Sequence, residues 1–540
     1  MQSEGSEEGR RHSDSSGYDG SAMYTAAVAA GSELRSIFRD FLNMEPTSML
    51  IRGLPGAGKT TLALELMQLM HEKYNCFYIS TRVSLARLQR YFPWIIGYLK
   101  DESVLSYDKI ERDSVIDLRL GSAAGTVELV IDTLINKKRA LVVLDSWDAL
   151  AKEIKHEDRM KMEKTMITVA DTNDGFLLFV SEEPEMNTLS YLVDGIVTLG
   201  VRDDGDGVCI RSMHIDKMRG VALHNNTYAY TLLDSRFIPV PISRSNSMHC
   251  ECRGCGDDDG CGSRSFHTIH AKDGFLSMGN TYMDGILHGG LRYGSTLLLE
   301  IDPGLDMVFL KAILVCMVLN TLNSKRKVLL DALDAPLSSI LSSIIPFCTD
   351  EVKNLTIFSL SKIDTARMYE QWLMLPRRKN GRSIPNTLPL IVNINESNYS
   401  SSILAKYEEM KRMERSGDSS GRGRGRDRDG DGDGDDGVHA GTIPSRPILI
   451  ILDNMYASNS KRYENMLLTS AKDNGDVAVI IERVGSGNIP YAKSISDVHL
   501  RLWGRNGVNL MHAVKPTLGT YAILLDGKMG YPAYSLLRMV

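Results

Sequence analysis

A chain of 540 residues, 43 % hydrophobic and 24 % charged, is long enough for roughly two to four globular domains with full cores. Its formal net charge of −6 argues against a broadly basic surface, so direct DNA binding is not expected. No apolar run reaches the ~18 residues of a membrane-spanning helix, and eight cysteines are too few for a disulfide framework, so the expected compartment is the reducing cytoplasm.

The start, MQSEGSEEGRRHSDSSGYDG, lacks the apolar core of a secretory signal, and residues 1–22 are polar enough to be predicted disordered. From Ala26 to Leu42 the pattern is helical, and SMLIRG follows as a first strand. NCFYIS, ALVVLD, GFLLFVS and GIVTL are further short runs, apolar on both sides, as in parallel strands covered by helices on both faces. The first domain is placed at 23–242. A Cys/Gly-rich linker, 243–265, leads to a second domain, 266–540, interrupted at 416–438 by SGDSSGRGRGRDRDGDGDGDDGV. That insertion has almost nothing to bury and is predicted disordered. Its aspartates balance its arginines, which favours a solvated insertion over a nucleic-acid-binding one.

The two domains match one another in four places and in the same order. MLIRGLPGAGKTTL aligns without gaps on LLLEIDPGLDMVFL, pairing Pro55 with Pro303 and Gly56 with Gly304. RALVVLDSWDAL matches RPILIILDNMYA, pairing Asp145 with Asp453, and SYLVDGIVTLGV matches KSISDVHLRLWG, pairing Asp194 with Asp497. Finally HIDKMRG…TYAYTLLD matches HAVKPTLGTYAILLD, pairing Lys217 with Lys515. Four collinear matches make an internal repeat.

GLPGAGKTT (Gly53, Leu54, Pro55, Gly56, Ala57, Gly58, Lys59, Thr60, Thr61) fits G-x-x-x-x-G-K-[ST] in full, after an apolar strand and before the helical LALELMQLM. The glycines let successive backbone N–H groups turn inward around phosphate, and the helix start adds partial positive charge. Lys59 is the expected contact to the β- and γ-phosphates of ATP, and Thr60 the expected Mg²⁺ ligand. ALVVLD ends at Asp145, the second expected Mg²⁺ residue, reaching the ion directly or through water. In the second copy Lys59 becomes Met307, Thr60 becomes Val308, Gly53 becomes Ile301 and Gly58 becomes Asp306. The counter-charge is gone and Asp306 adds repulsion, so this copy is read as a folded scaffold that takes no ATP in the usual way.

Together these residues resemble the RecA superfamily, and within it the KaiC-like ATPases: α/β, with tandem P-loop domains of parallel sheets flanked by helices, the second copy degenerate. IDKMRG matches that family's Lys-x-Arg pair, which implies that Lys217 and Arg219 reach a neighbouring subunit's γ-phosphate in a homo-oligomeric ring. The plainer reading of the pair is a charged strand edge. Arg219 has no counterpart in the second copy, where Thr517 stands. Hydrolysing members usually carry acidic residues after the second strand, whereas Thr81, Arg82 and Val83 follow FYIS here. Glu182 and Glu183 follow a different strand and are not the expected base. Nucleotide binding is therefore expected, with hydrolysis weak or absent.

The complete first P-loop, YISTRVS…L…YFPW (78–94) and the degenerate second half are also similar to the archaeal gas-vesicle regulatory D proteins. That resemblance implies a repressor of gas-vesicle formation acting through a protein partner, a transcriptional activator of gas-vesicle genes. It also implies reliance on arginine-rich segments, for which 375–382 and 422–428 are the candidates. A turning-over signalling ATPase and a RecA-type DNA-binding ATPase are the alternatives. Cys250, Cys252, Cys255 and Cys261 in HCECRGCGDDDGC could hold zinc, but C-x-C-x2-C-x5-C is not a standard zinc spacing, and incidental linker cysteines are favoured.

Overall fold

The computed structural model describes residues 32–81, 83–97, 123–152, 154–183, 188–203, 208–242, 266–331, 343–344, 347–348, 350–359, 389–393, 399–419, 446–453, 461–487, 489–526, 531 and 533–540. The segments 375–382 and 422–428, the four linker cysteines and most of the 416–438 insertion lie outside these residues. The insertion's first four residues are the end of a helix, Tyr399–Ser419, which runs further than the sequence pattern suggested.

The first half is built on strands β1 (Ser48–Gly53), β2 (Asn75–Ser80), β3 (Ala140–Asp145), β4 (Phe176–Ser181), β5 (Gly195–Asp203), β6 (Cys209–Met218), β7 (Thr227–Thr231) and β8 (Ile238–Pro239). They form one sheet in the order β2-β3-β4-β1-β5-β6-β7-β8. The first five are parallel, and the last three are added antiparallel. Every residue of β1 and of β4 is buried, as expected of strands with helices on both faces. On one face the helix Lys59–Met70 and the helix Ser32–Asn43 share a core with Ile51, Leu178 and Tyr78. On the other face Ala123–Asn136 and His156–Thr172 pack with Leu144 and Phe179.

The second half contributes β9 (Phe275–Leu276), β10 (Leu291–Arg292), β11 (Thr296–Ile301), β12 (Val328–Asp331), β13 (Leu355–Ser359), β14 (Leu390–Asn393), β15 (Leu449–Asp453), β16 (Val477–Arg483), β17 (Val498–Arg505), β18 (Val508–Lys515), β19 (Gly519–Asp526) and β20 (Ala533–Met539). Its large sheet runs β14-β13-β12-β15-β16-β11-β17-β18-β19-β20. With β11 set on β1, the eight strands from β12 to β20 repeat the order of the first sheet, and β13 and β14 extend the β12 edge. The correspondence reaches a detail: β5 breaks register against β6 between Ile196 and Val197, and β17 breaks register against β18 between the aligned His499 and Leu500. The chain is therefore a tandem of RecA-like α/β domains, as the four sequence matches required.

The antiparallel ends of the two sheets meet. Ile210 and Ile238 of the first half are buried in one cluster with Leu510, Leu524 and Leu537 of the second. No helix among the described residues is long and apolar enough to cross a membrane.

Candidate functional site

The P-loop leaves β1 at Gly53 and enters the helix Lys59–Met70 through Gly56 and Gly58, whose φ angles of +80° and +90° lie in the region that favours glycine. No side chain caps the first turn of that helix, so its amides face an open cavity of about 450 Å³, within the range of small-molecule sites. Pro55, Gly56, Gly58, Lys59, Thr60 and Thr61 line it from the loop side. Tyr78, Ser80, Asp145, Glu182, Leu88, Phe92 and Leu232 close the rest. Of the sequence-predicted residues, Leu54 is more than half exposed on the outer side of the loop, and Ala57 is fully buried behind it.

Lys59 is buried and donates Nζ to the carbonyls of Gly53 at 2.8 Å and Leu54 at 3.0 Å, folded back along its own loop. Thr60 Oγ1 donates to Asp145 Oδ2 at 2.6 Å, which brings together the two residues expected to hold Mg²⁺, 85 positions apart in the chain. A third member is Tyr78, whose hydroxyl donates to the same oxygen at 2.5 Å. Burial first, and then the Asp145 carboxylate, hold that phenol well above its ordinary pKa, so it stays a donor. Thr81 donates its amide to the Asp145 carbonyl at 2.8 Å and accepts the Ser146 amide at 3.0 Å, fixing the chain just past the aspartate. An alcohol and a carboxylate on one side of a lysine, beside an open helix start, are the donor set that Mg²⁺ and a polyphosphate require.

Glu182 is on the wall of this cavity. It follows β4, whose Ser181 lies beside Arg52 of β1, directly between the P-loop strand and the Asp145 strand. Its amide is fixed by Asp148 Oδ2, while Asp148 Oδ1 accepts from Ser181 Oγ at 2.9 Å. Sequence reasoning set Glu182 aside because it follows the fourth strand; the order β3-β4-β1 is what brings it to the site.

Lys217 and Arg219 lie at the end of β6, away from the cavity wall. Lys217 donates Nζ to the Val193 carbonyl at 2.6 Å, and more distantly to those of Ser190 and Tyr191, closing the end of the short helix Thr188–Leu192. Burial and then the neighbouring Arg219 charge lower its pKa. Arg219 pairs with Asp194 at 2.8 Å while its side chain stays 59 % exposed. Among the described residues no group of three or more His, Cys, Asp and Glu is placed to hold a metal.

The second copy of the site is closed. Asp306 accepts from the Val308 amide at 3.1 Å and so caps the helix Met307–Asn323, using a helix-start N–H that a phosphate would need. Its own amide donates to Asn509 Oδ1 at 3.1 Å, and the Asp302 carboxylate accepts from the Gly304 amide at 3.0 Å. The aligned residues that do persist have structural work. Lys515 donates to the carbonyls of Lys493 and Ser496 as Lys217 does in the first half. Asp497 accepts the Thr296 amide at 2.9 Å, and Asp194 the Thr47 amide at 2.9 Å, each at the start of its P-loop strand.

Comparison with known proteins agrees with this geometry. A family model for the GvpD gas vesicle protein, P-loop domain, matches residues 37–216. Protein GvpD1 of Halobacterium salinarum is 26 % identical over 304 residues, which cover 52 % of this chain and 52 % of that protein. Protein GvpD2 of the same organism is 25 % identical over 290 residues, covering 51 % of this chain and 55 % of that protein. The chain thus spans about half the length of the curated relatives it matches. Residues 37–216 thus match a GvpD P-loop domain, and the chain is similar to GvpD proteins over about half of its length.

Proposed function

We propose that this chain is an ATP-binding regulator of gas-vesicle formation, in which a single nucleotide site sets the shape or assembly of a surface that meets a protein partner. The observation that carries the reading is the asymmetry of the repeat: an open, fully equipped P-loop joined to a twin whose helix start is capped by Asp306. Mg²⁺·ATP would be held by the P-loop amides, Lys59, Thr60 and Asp145. The ion, when bound, neutralises charge between the β- and γ-phosphates. Lys59 would exchange two backbone carbonyls for phosphate, and Thr60 would turn from Asp145 to the metal.

The gas-vesicle resemblance supplies the rest of the reading: repression, a transcriptional activator as partner, and KaiC-like assembly of several copies. In such an assembly Arg219 needs only to leave Asp194 to reach a neighbour, whereas Lys217 must release the helix carbonyls it closes. The first test is a fluorescent-nucleotide titration and a phosphate-release assay on the full chain, beside Lys59→Ala. Binding with little turnover, lost in the variant, is the expected result. In cells, removing the chain should raise gas-vesicle formation, and Lys59→Ala should fail to restore repression; unchanged vesicle levels on removal would sink the repressor assignment.

A second reading, a turning-over ATPase, is favoured by Glu182 on the cavity wall. It requires steady phosphate release that disappears in Glu182→Gln while nucleotide binding persists.

A further inference from the structure

Strand β7 faces two ways. Successive side chains of a strand point to opposite sides. Tyr230 donates its hydroxyl to the carbonyl of Ala57 in the P-loop, and the next residue, Thr231, is engaged with the second half. Thr231 is fully buried; its Oγ1 donates to the Arg538 carbonyl at 2.9 Å and accepts the Val540 amide at 2.9 Å. On the adjoining β6, Arg211 donates Nη1 to the Gly56 carbonyl and Nε to the Val540 carbonyl, both at 2.7 Å. One guanidinium therefore joins the P-loop to the residue that follows β20. Leu232, after β7, packs so closely over Gly58 that a Cβ there would lie 2.8 Å from its Cδ2.

From these contacts we infer that the second half holds the P-loop in its phosphate-receiving shape, so that nucleotide affinity in the first half is set through the interface between the halves. The inference rests on the proposed nucleotide-binding role of the loop and names what regulates it. In a trans peptide the C=O and the following N–H point in opposite directions. The Ala57 N–H closes the loop on the Leu54 carbonyl at 3.2 Å, and fixing the Ala57 carbonyl outward on Tyr230, beside the Gly56 carbonyl on Arg211, turns the Gly58 N–H the other way, where a phosphate oxygen would be received. Without those anchors a loop containing Gly56 and Gly58 has wide backbone freedom and must be ordered at the cost of binding energy. Arg211 suits the task because its planar fork holds two carbonyls at fixed angles, which an ammonium cannot do. Whatever engages the second half near β20 then changes nucleotide affinity, and nucleotide changes affinity for that partner by the same factor.

The test uses the full chain with Thr231→Val, which keeps the side-chain shape and makes no P-loop contact, and with Arg211→Lys, which keeps the charge but not the fork. Two quantities are read: deuterium uptake at amides 54–61 without nucleotide, and the Kd for a fluorescent ATP analogue. Both variants should take up deuterium in that segment on the order of tenfold faster, and bind the analogue about five- to tenfold more weakly, with exchange in β1 and β4 unchanged. Wild-type uptake and Kd in folded Thr231→Val would overturn the inference. So would faster uptake spread evenly through the first half, because that is general loosening. If the wild-type chain binds no nucleotide, the nucleotide-binding reading fails, while the uptake comparison still decides whether the interface holds the loop.

Discussion

The helix Lys59–Met70 begins at a glycine that caps nothing, and the helix Met307–Asn323 begins at the aligned aspartate, which caps the helix with its own carboxylate. Both helices follow the central strand of the same sheet order, so the difference lies in residues and not in architecture. Comparing the two halves separates the residues that hold the fold from those that meet a ligand. Lys217 and Lys515 close the same short helix end, and Asp194 and Asp497 hold the start of the same strand. His214 and His512 make the same bond to a threonine on the next strand, at 3.0 and 2.9 Å. These pairs survive because removing them leaves buried polar groups unmatched in either half. Lys59, Thr60, Gly58 and Arg219, by contrast, are not kept: Met307, Val308, Asp306 and Thr517 stand at the aligned positions.

The largest effect that would sharpen this contrast is on binding. Lys59→Ala should weaken nucleotide affinity by about a hundredfold or more in a fluorescence titration, because a buried charge partner of phosphate is lost. Next is the buried charge that stands beside the loop in each half with opposite sign. Arg52 pairs with Asp216 at 3.4 Å, whereas the aligned Glu300 bonds His499 at 2.7 Å and Lys493 at 3.0 Å. Burial alone would push Glu300 up, but the hydrogen bonds and charges of His499 and Lys493 outweigh it and bring its pKa from 4.5 down to about 2. Because the folded value is the lower one, its stabilisation is present in full above pH 4.5 and is lost as pH falls towards 2. Glu300→Gln should therefore cost about 2 kcal/mol at neutral pH in urea unfolding, with wild type and variant converging in acid. A deficit independent of pH would contradict the assignment.

Smaller again, Asp306→Ala should cost about 1 kcal/mol by removing a helix cap. It should create no second nucleotide site, since Met307 and Val308 still stand where Lys59 and Thr60 do. Gain of binding there would break the comparison. Smallest of all, Arg219→Ala should change stability by less than about 0.5 kcal/mol, as its ion pair with Asp194 is largely exposed. A defect in turnover or assembly without a shift in Tm would be the mark of a role across a subunit boundary.

The P-loop, the Asp145 strand and the repeat were legible in sequence because each is a continuous run of residues whose spacing carries its own chemistry. The parallel sheet was legible from runs such as ALVVLD, apolar on both sides. What was not legible depends on strand order. Glu182 reaches the cavity only because β4 lies between β3 and β1. Tyr78 looks like a core aromatic in NCFYIS until β2 pairs with β3 and brings its hydroxyl to Asp145. Arg211 and Tyr230 read as ordinary residues of an antiparallel edge, and their bonds to the P-loop span 155 and 173 positions. Within the chain Lys217 closes the end of a five-residue helix, a local task that no charge pattern announces.

The central claim is that one of two matched sites works. Its most direct test is the stoichiometry of Mg²⁺·ATP binding to the full chain by calorimetric titration, with Lys59→Ala alongside. One nucleotide per chain, falling to none in the variant, is the result this account predicts. Two per chain, or one that persists in Lys59→Ala, would contradict it.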